Sequence, residues 1–166
     1  LTNQKVKTIY FGGGTPSILN KYELESLLKT IYENYKIIEK PEITLECNPD
    51  DLNNIKLKSY KEIGINRLSI GVQSFKNNDL KFMNRSHNSN EAIKSIKLAQ
   101  KIGFKNITID LIYGIPKQTL NDWKENLNIL FKLNIQHFSA YCLTIEKKTA
   151  LYNLVKNKRI RVLSDK

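Results

Sequence analysis

The chain has 166 residues, 40% of them hydrophobic, and this length can bury the core of one domain. Its net charge of +11 comes from 27 lysines and arginines scattered along the sequence, which favours solvated surfaces over a nucleic-acid or membrane-binding patch. There is no apolar run of the ~20 residues that span a bilayer, no signal peptide and no CxxC pair. We therefore expect a cytoplasmic protein without a transmembrane segment, a disulfide framework or nucleic acid as a partner.

Five short segments rich in β-branched or aromatic residues predict strands, and amphipathic patterns predict helices between them. The predicted strands are Val6 to Phe11, Ile43 to Cys47, Leu68 to Val72, Ile107 to Ile112 and Phe138 to Leu143. Helical patterns run through Leu24 to Tyr35, Leu52 to Ile63, Ala92 to Ala99 and Trp123 to Phe131, the last after an N-cap at Thr119 or Asn121. Strand alternating with helix predicts parallel βα units, arranged as a doubly wound open sheet or as a barrel.

The alternation of residues inside the strands favours the barrel. Thr44 and Glu46 alternate with apolar residues in the second strand, and Thr108 and Asp110 do so in the fourth. A parallel sheet covered by helices on both faces would be apolar on both. We therefore expect an α/β partial barrel with helices outside and an open, polar lumen that binds a polar ligand.

The candidate ligand residues follow or end the predicted strands, where parallel α/β folds bind their ligands. They are Gly13, Gly14 and Thr15 after the first strand, Glu46 in the second, Gln73 after the third, Asp110 in the fourth and Thr144 after the fifth. Three successive glycines let a ligand approach the backbone closely, although this turn on its own is more typical of a tight strand-to-helix connection. It matches neither the Walker pattern nor GxGxxG, which argues against a nucleoside phosphate.

Glu46 and Asp110 face the predicted lumen, where a carboxylate is costly unless it is paired or bound to a ligand. One interpretation is a structural salt bridge with Arg85 or a nearby lysine. The other is that Glu46, Gln73, Arg85 and Asp110 together bind an amino group, a carboxylate and ribose hydroxyls.

The histidines and cysteines show no metal-ligand or nucleophile spacing. We expect surface or capping roles for His87 and His137. Cys47 and Cys142 are predicted to be packed apolar residues.

Four motifs, in this order, carry a family resemblance. They are YFGGGTPS at 10–17, TLECNP at 44–49, RLSIGVQSF at 67–75 and DLIYGIPKQT at 110–119. Together they resemble the radical S-adenosylmethionine (SAM) proteins related to oxygen-independent coproporphyrinogen III oxidase. Within that group, TLECNP and SAYCLTIE at 139–146 are more similar to the HemW branch, whose members are described as heme chaperones.

The resemblance implies a partial (β/α)6 barrel that binds SAM and a [4Fe-4S] cluster. Residues 1–149 would supply its second to sixth βα units, without the first, and residues 150–166 the start of a C-terminal extension. The cluster motif CxxxCxxC is expected before Leu1, so no residue of this chain is a predicted metal ligand, and the heme-associated HNxxY motif is expected after Lys166.

By position, the resemblance also assigns the candidate residues to parts of SAM. Gly13, Gly14 and Thr15 would line its methionine end, Glu46 would contact SAM, Gln73 and Arg85 would hold amino-acid polar groups, Asp110 the ribose and Thr144 the adenosine. The implied partners are heme or a porphyrin and a heme-acceptor protein.

Three functions remain open at this point. The leading one is a heme chaperone. The second is an enzyme, a radical SAM coproporphyrinogen III dehydrogenase that abstracts hydrogen from a propionate side chain. The third is a phosphate-binding barrel without a cluster, which the set of Glu46, Gln73, Arg85 and Asp110 argues against.

Overall fold

The computed structural model describes residues 4–160 and contains one parallel sheet with helices in the connections. The strands are β1 (Val6–Phe11), β2 (Ile37–Cys47), β3 (Arg67–Gln73), β4 (Asn106–Tyr113) and β5 (His137–Cys142). The helices are α1 (Lys21–Asn34), α2 (Asn54–Glu62), α3 (Asn77–Phe82), α4 (Ser89–Ile102), α5 (Leu120–Lys132) and α6 (Ala150–Lys156), with single 3-10 turns at Pro16–Ile18 and Pro49–Asp51. The strands lie in chain order and curl into a partial barrel, which confirms the predicted α/β class.

Local signals fix where the long helices begin. Asn20, Asn88 and Thr119 each accept a hydrogen bond from the third residue of the following helix, and the acidic side chain at that position bonds back to the cap. These reciprocal bonds satisfy backbone donors that would otherwise have no partner. The predicted cap at Thr119 is therefore confirmed, and Asn121 lies inside α5.

The hydrophobic core lies between the outer face of the sheet and the helices. Fully buried side chains come from the central strands and from one face of α1, α2 and α4: Leu24, Leu45, Leu57, Tyr60, Leu68, Ile70, Ile96, Ile107, Ile109 and Leu111. The apolar half of each strand alternation therefore faces the helices, and the polar half faces the lumen. Among the helices of residues 4–160, none has the length and apolar character to cross a membrane.

Towards the amino ends of the strands, polar side chains bond to one another on the lumen face. Thr44 and Thr108 are buried on this face. Arg67 Nη1 donates to Glu42 Oε1 at 2.8 Å, and Arg67 Nη2 donates to Thr108 Oγ1 at 3.0 Å. This network occupies the lumen face towards the amino ends of the strands, so the candidate ligand residues lie beyond it, towards the carboxyl ends.

Candidate ligand site at the carboxyl ends of the strands

Glu46 is held in the lumen by β1 and by the loop that follows it. Its Oε1 accepts a hydrogen bond from Tyr10 Oη at 2.7 Å, and its Oε2 accepts from the backbone N–H of Gly13 at 3.1 Å. A Cβ at Gly12 would lie only 2.7 Å from Glu46 Oε1, so a side chain at this position would displace the carboxylate. Gly13 and Gly14 have φ of 86° and 144°, which L side chains rarely adopt.

Tyr10 was not singled out from the sequence, although alternation from the buried Ile9 places it on the lumen face. Burial raises the pKa of Tyr10 to about 12, and the hydrogen bond to Glu46 and the charge of that carboxylate act in the same direction. Tyr10 therefore stays protonated at neutral pH and donates to Glu46. The Glu46 carboxylate is thus held by two donors, the Tyr10 hydroxyl and the Gly13 N–H.

Gln73 and Arg85 meet above Gly71. A Cβ at Gly71 would lie 2.9 Å from Gln73 Nε2 and 3.5 Å from Arg85 Nη2, so both side chains pass over this position. Gln73 reaches it because the register between β3 and β4 shifts at the end of β3, where Gln73 adopts φ of 68°. This bulge points the amide into the lumen.

Arg85 lies between α3 and α4 and is partly buried. Burial lowers its pKa, and the nearby carboxylate of Asp50 opposes that shift. Within residues 4–160, no ion pair joins Arg85 to Glu46 or Asp110. The salt-bridge interpretation of these two carboxylates therefore finds no support in this part of the chain.

Asp110 lies on the lumen face of β4. Burial raises its pKa, the charge of Glu46 adds to this, and hydrogen bonds from Ser139 and Ser69 oppose it. Ser69 Oγ donates to Asp110 Oδ2 at a long 3.4 Å. The carboxylate is therefore oriented from behind by two hydroxyls, and lone pairs remain for a ligand.

The remaining sequence-predicted residues lie at the rim. Thr15 is half-buried at the start of the turn that leads into α1, and its carbonyl accepts from the N–H of Ile18 at 3.1 Å. Thr144 is exposed in the connection between β5 and α6. Its assignment to the adenosine stays a prediction.

Ser17 anchors the glycine turn to the loop after β2. It is fully buried, donates from Oγ to Asp51 Oδ2 at 2.6 Å, and accepts at Oγ from the N–H of Asn48 at 3.2 Å. Its carbonyl accepts from Lys56 Nζ and Tyr60 Oη, at 2.6 and 3.0 Å. The last residue of GGGTPS therefore binds the TLECNP loop and fixes the two segments against each other.

A second buried network joins the loops after β3 and β4. Asn126 Oδ1 accepts from the N–H of Phe75 at 2.6 Å and lies 3.3 Å from Ser74 Oγ. Asp79 Oδ2 accepts from Ser74 Oγ at 2.8 Å and from Gln118 Nε2 at 3.0 Å. The serine of GVQSF and the glutamine of GIPKQT thus meet at one carboxylate.

The histidines and cysteines follow the predictions only in part. His87 is buried, so a surface position was wrong for it; its ring lies between the carbonyl of Val72 at the end of β3 and Asp50. His137 is exposed and Cys47 is buried, as predicted, whereas Cys142 is exposed. Residues 4–160 contain no group of three His, Cys, Asp or Glu side chains that could hold a metal ion.

Comparison with known proteins gives a consistent family. The model of the radical SAM superfamily matches residues 1–130. The chain is 40% identical over 158 residues to the heme chaperone HemW of Bacillus subtilis and 39% identical over 146 residues to that of Escherichia coli. These matches cover 95% and 88% of the chain but only 42% and 39% of the relatives' own lengths.

Solved structures give the same result for the fold. Coproporphyrinogen III oxidase (HemN) from Escherichia coli superposes with a TM-score of 0.82 at 30% identity, over 98% of this chain and 37% of that one. Archaeal Elp3 of Methanocaldococcus infernus superposes with a TM-score of 0.80 at 19% identity, over 94% of this chain and 41% of that one, which is a likeness of fold alone. The chain belongs to the radical SAM superfamily.

Proposed function

We propose that the intact protein is a HemW-like heme chaperone of heme metabolism, and that this chain forms its SAM-binding part. Membership of the radical SAM superfamily implies SAM and a [4Fe-4S] cluster as cofactors. The observation that carries the SAM site is the convergence of Glu46, Gln73, Arg85 and Asp110 at one end of the lumen. The relatives from Bacillus subtilis and Escherichia coli, 40% and 39% identical to this chain, are both heme chaperones HemW and support the chaperone role.

The donor set fits SAM group by group. SAM carries an ammonium group, a carboxylate and a ribose diol, and the site offers two carboxylates, a guanidinium and an amide. We assign the ammonium to Glu46, the amino-acid carboxylate to Arg85 and Gln73, and the ribose hydroxyls to Asp110. Because the N–H of Gly13 is bonded to Glu46, its role is to orient that carboxylate, and the backbone of Gly14 and Thr15 lines the edge of the pocket.

The residues of this chain bind and orient; the cluster, when bound, would supply an electron to SAM. We place its cysteine ligands before Leu1 and treat residues 150–166 as the start of a C-terminal extension. Heme or a porphyrin and a heme-acceptor protein are the proposed partners. Thr144 is proposed to lie near the adenosine.

Heme titration of the full-length gene product, after anaerobic reconstitution of its cluster, tests the chaperone role. We expect stoichiometric heme binding, read from the Soret band. The variant Asp110→Ala is a matched control, because it should weaken SAM binding while it leaves heme binding unchanged. Absence of stoichiometric heme binding would rule out the chaperone.

The second candidate is an oxygen-independent coproporphyrinogen III oxidase, supported by the superposition with HemN. The reconstituted protein is incubated anaerobically with SAM, a reductant and coproporphyrinogen III, and consumption of the porphyrinogen is followed by chromatography. SAM-dependent consumption would favour the oxidase over the chaperone. In the complete sequence, CxxxCxxCxC upstream would point to the oxidase and HNxxY downstream to the chaperone.

A further inference from the structure

Three segments that carry candidate ligand residues meet at one buried imidazole. His87 lies in the connection between α3 and α4, two residues after Arg85, and is buried. Its Nε2 lies 3.1 Å from the carbonyl oxygen of Val72, the residue before Gln73. Because a carbonyl oxygen only accepts, Nε2 carries the proton and donates to it.

The other side of the imidazole faces the loop after β2. His87 Nδ1 lies 3.7 Å from Asp50 Oδ1, so the imidazole lies against the Asp50 side chain at a distance too long for a hydrogen bond. Asp50 Oδ2 accepts from Ser86 Oγ at 2.7 Å. Asp50 lies four residues after Glu46, and Ser86 directly follows Arg85. The loop that carries Glu46 therefore holds the segment that carries Arg85.

Arg85 and Gln73 both depend on this region for their direction. Asn84, directly before Arg85, has φ of 53°, and the N–H of Arg85 donates to the carbonyl of Leu80 at 2.9 Å. Gln73 has φ of 68°. Asparagine adopts the left-handed region readily, whereas for Gln73 this φ is uncommon and is typical of a residue held by its surroundings.

We propose that His87 and Asp50, with Ser86, are positioning residues that aim Gln73 and Arg85 together into the lumen. The inference rests on the proposed SAM site. His87 holds the carbonyl of Val72 at the β3 bulge. Asp50 lies outside the lumen and, through Ser86, holds the segment that carries Arg85. Neither side chain contacts the ligand.

The test is a thermodynamic cycle on the full-length protein, with SAM affinity measured by calorimetry without reductant. His87→Leu removes the donor to Val72 and should weaken SAM binding about tenfold, as loss of one buried hydrogen bond does. His87→Gln keeps an N–H donor and should restore most of the affinity. Ser86→Ala, at an exposed position that is safe for folding, should weaken binding about threefold, since it releases Asp50 only in part.

The same substitutions are then made in a background of Gln73→Ala and Arg85→Ala. If His87 and Ser86 act through those two side chains, they have nothing left to position, and their effect on residual SAM affinity disappears. A purely structural role gives the same loss in both backgrounds and overturns the proposal. If the unsubstituted protein does not bind SAM at all, the proposed function fails together with the positioning role. If it binds SAM but His87→Leu and Ser86→Ala lower the affinity equally in both backgrounds, only the positioning role is overturned.

Discussion

At the scale of single residues, the site depends on groups whose ionisation is set by their surroundings. Asp110 is the clearest case, because its pKa is raised by burial and by Glu46. A carboxyl group whose pKa is higher in the folded than in the unfolded protein favours folding when protonated. That contribution is complete below the ordinary pKa of about 4 and is lost as the pH rises through the raised folded value.

Asp110→Asn should therefore have opposite effects on stability and on binding. At pH 7 we expect the unfolding free energy of the variant without SAM to equal or exceed that of the unsubstituted protein, with the difference vanishing in acid. SAM affinity should fall about tenfold, because the amide accepts fewer hydrogen bonds than the carboxylate. Thermal unfolding across pH and calorimetry measure the two effects, with exposed Glu39→Gln as control. A variant that is less stable at pH 7 but equally good at binding SAM would contradict the proposed role.

Gly12 and Gly13 are adjacent, but they are required for different physical reasons. An alanine Cβ at position 12 would meet the side-chain ends of Tyr10 and Glu46 at 2.6 and 2.7 Å, whereas at position 13 it would meet nothing within 4 Å. We expect Gly12→Ala to lower SAM affinity about tenfold, since it displaces the Glu46 carboxylate. Gly13→Ala should mainly cost about 1 kcal/mol of unfolding free energy, because φ there is 86°.

Urea denaturation and SAM calorimetry separate the two glycine effects. If both variants lose stability and affinity in the same proportion, the distinction between close approach and backbone conformation is wrong.

At the scale of elements, the order and type of the strands were predictable, and the contacts between loops were not. Alternating Thr44, Glu46, Thr108 and Asp110 predicted a lumen face because the period of a strand is two. β2 begins at Ile37 rather than Ile43, because its first residues pair only with β1 and leave Glu39 and Lys40 exposed, which hides any apolar pattern. The six-residue α3 was not predicted, since so short a helix presents less than two turns of periodicity.

The candidate site was predictable as a set of strand-end residues, but its support was not. Ser74, Asp79, Gln118 and Asn126 come from four separate segments, and Asn126 lies 51 residues from the Phe75 N–H that it binds. Pairing over such separations is set by the packing of α5 against the sheet. No local sequence pattern encodes it.

Asn126→Ala tests the network between β3 and α5. The substitution would leave the buried N–H of Phe75 without an acceptor, and we expect the unfolding free energy to fall by about 1–3 kcal/mol. Asn121→Ala on the exposed face of the same helix is the matched control and should change it by less than about 0.5 kcal/mol. Chemical denaturation measures both. Equal effects of the two substitutions would mean that the buried amide is not what joins these loops.

At the scale of the whole molecule, the sheet has two open edges. In the part of the chain that the structure describes, β1 pairs only with β2, and β5 only with β4. Exposed apolar side chains concentrate on the helices beside these edges, with Tyr22 of α1 80% exposed and Phe131 of α5 64% exposed. Unpaired strand edges and large apolar patches are both surfaces through which chains associate.

We therefore expect a polypeptide of residues 1–166, produced alone, to self-associate despite its net charge of +11. Light scattering after gel filtration should give a mass above that of the monomer that rises with concentration, and Tyr22→Lys with Phe131→Lys should lower it by adding charge to both apolar faces. Raising the salt concentration should increase association, because it screens repulsion between lysine-rich surfaces while the apolar contacts persist. Ile55→Lys, at an exposed position of α2 away from both edges, is the control and should leave the mass unchanged. A monomer at all concentrations would mean that the curl of the sheet protects its edges without any covering element.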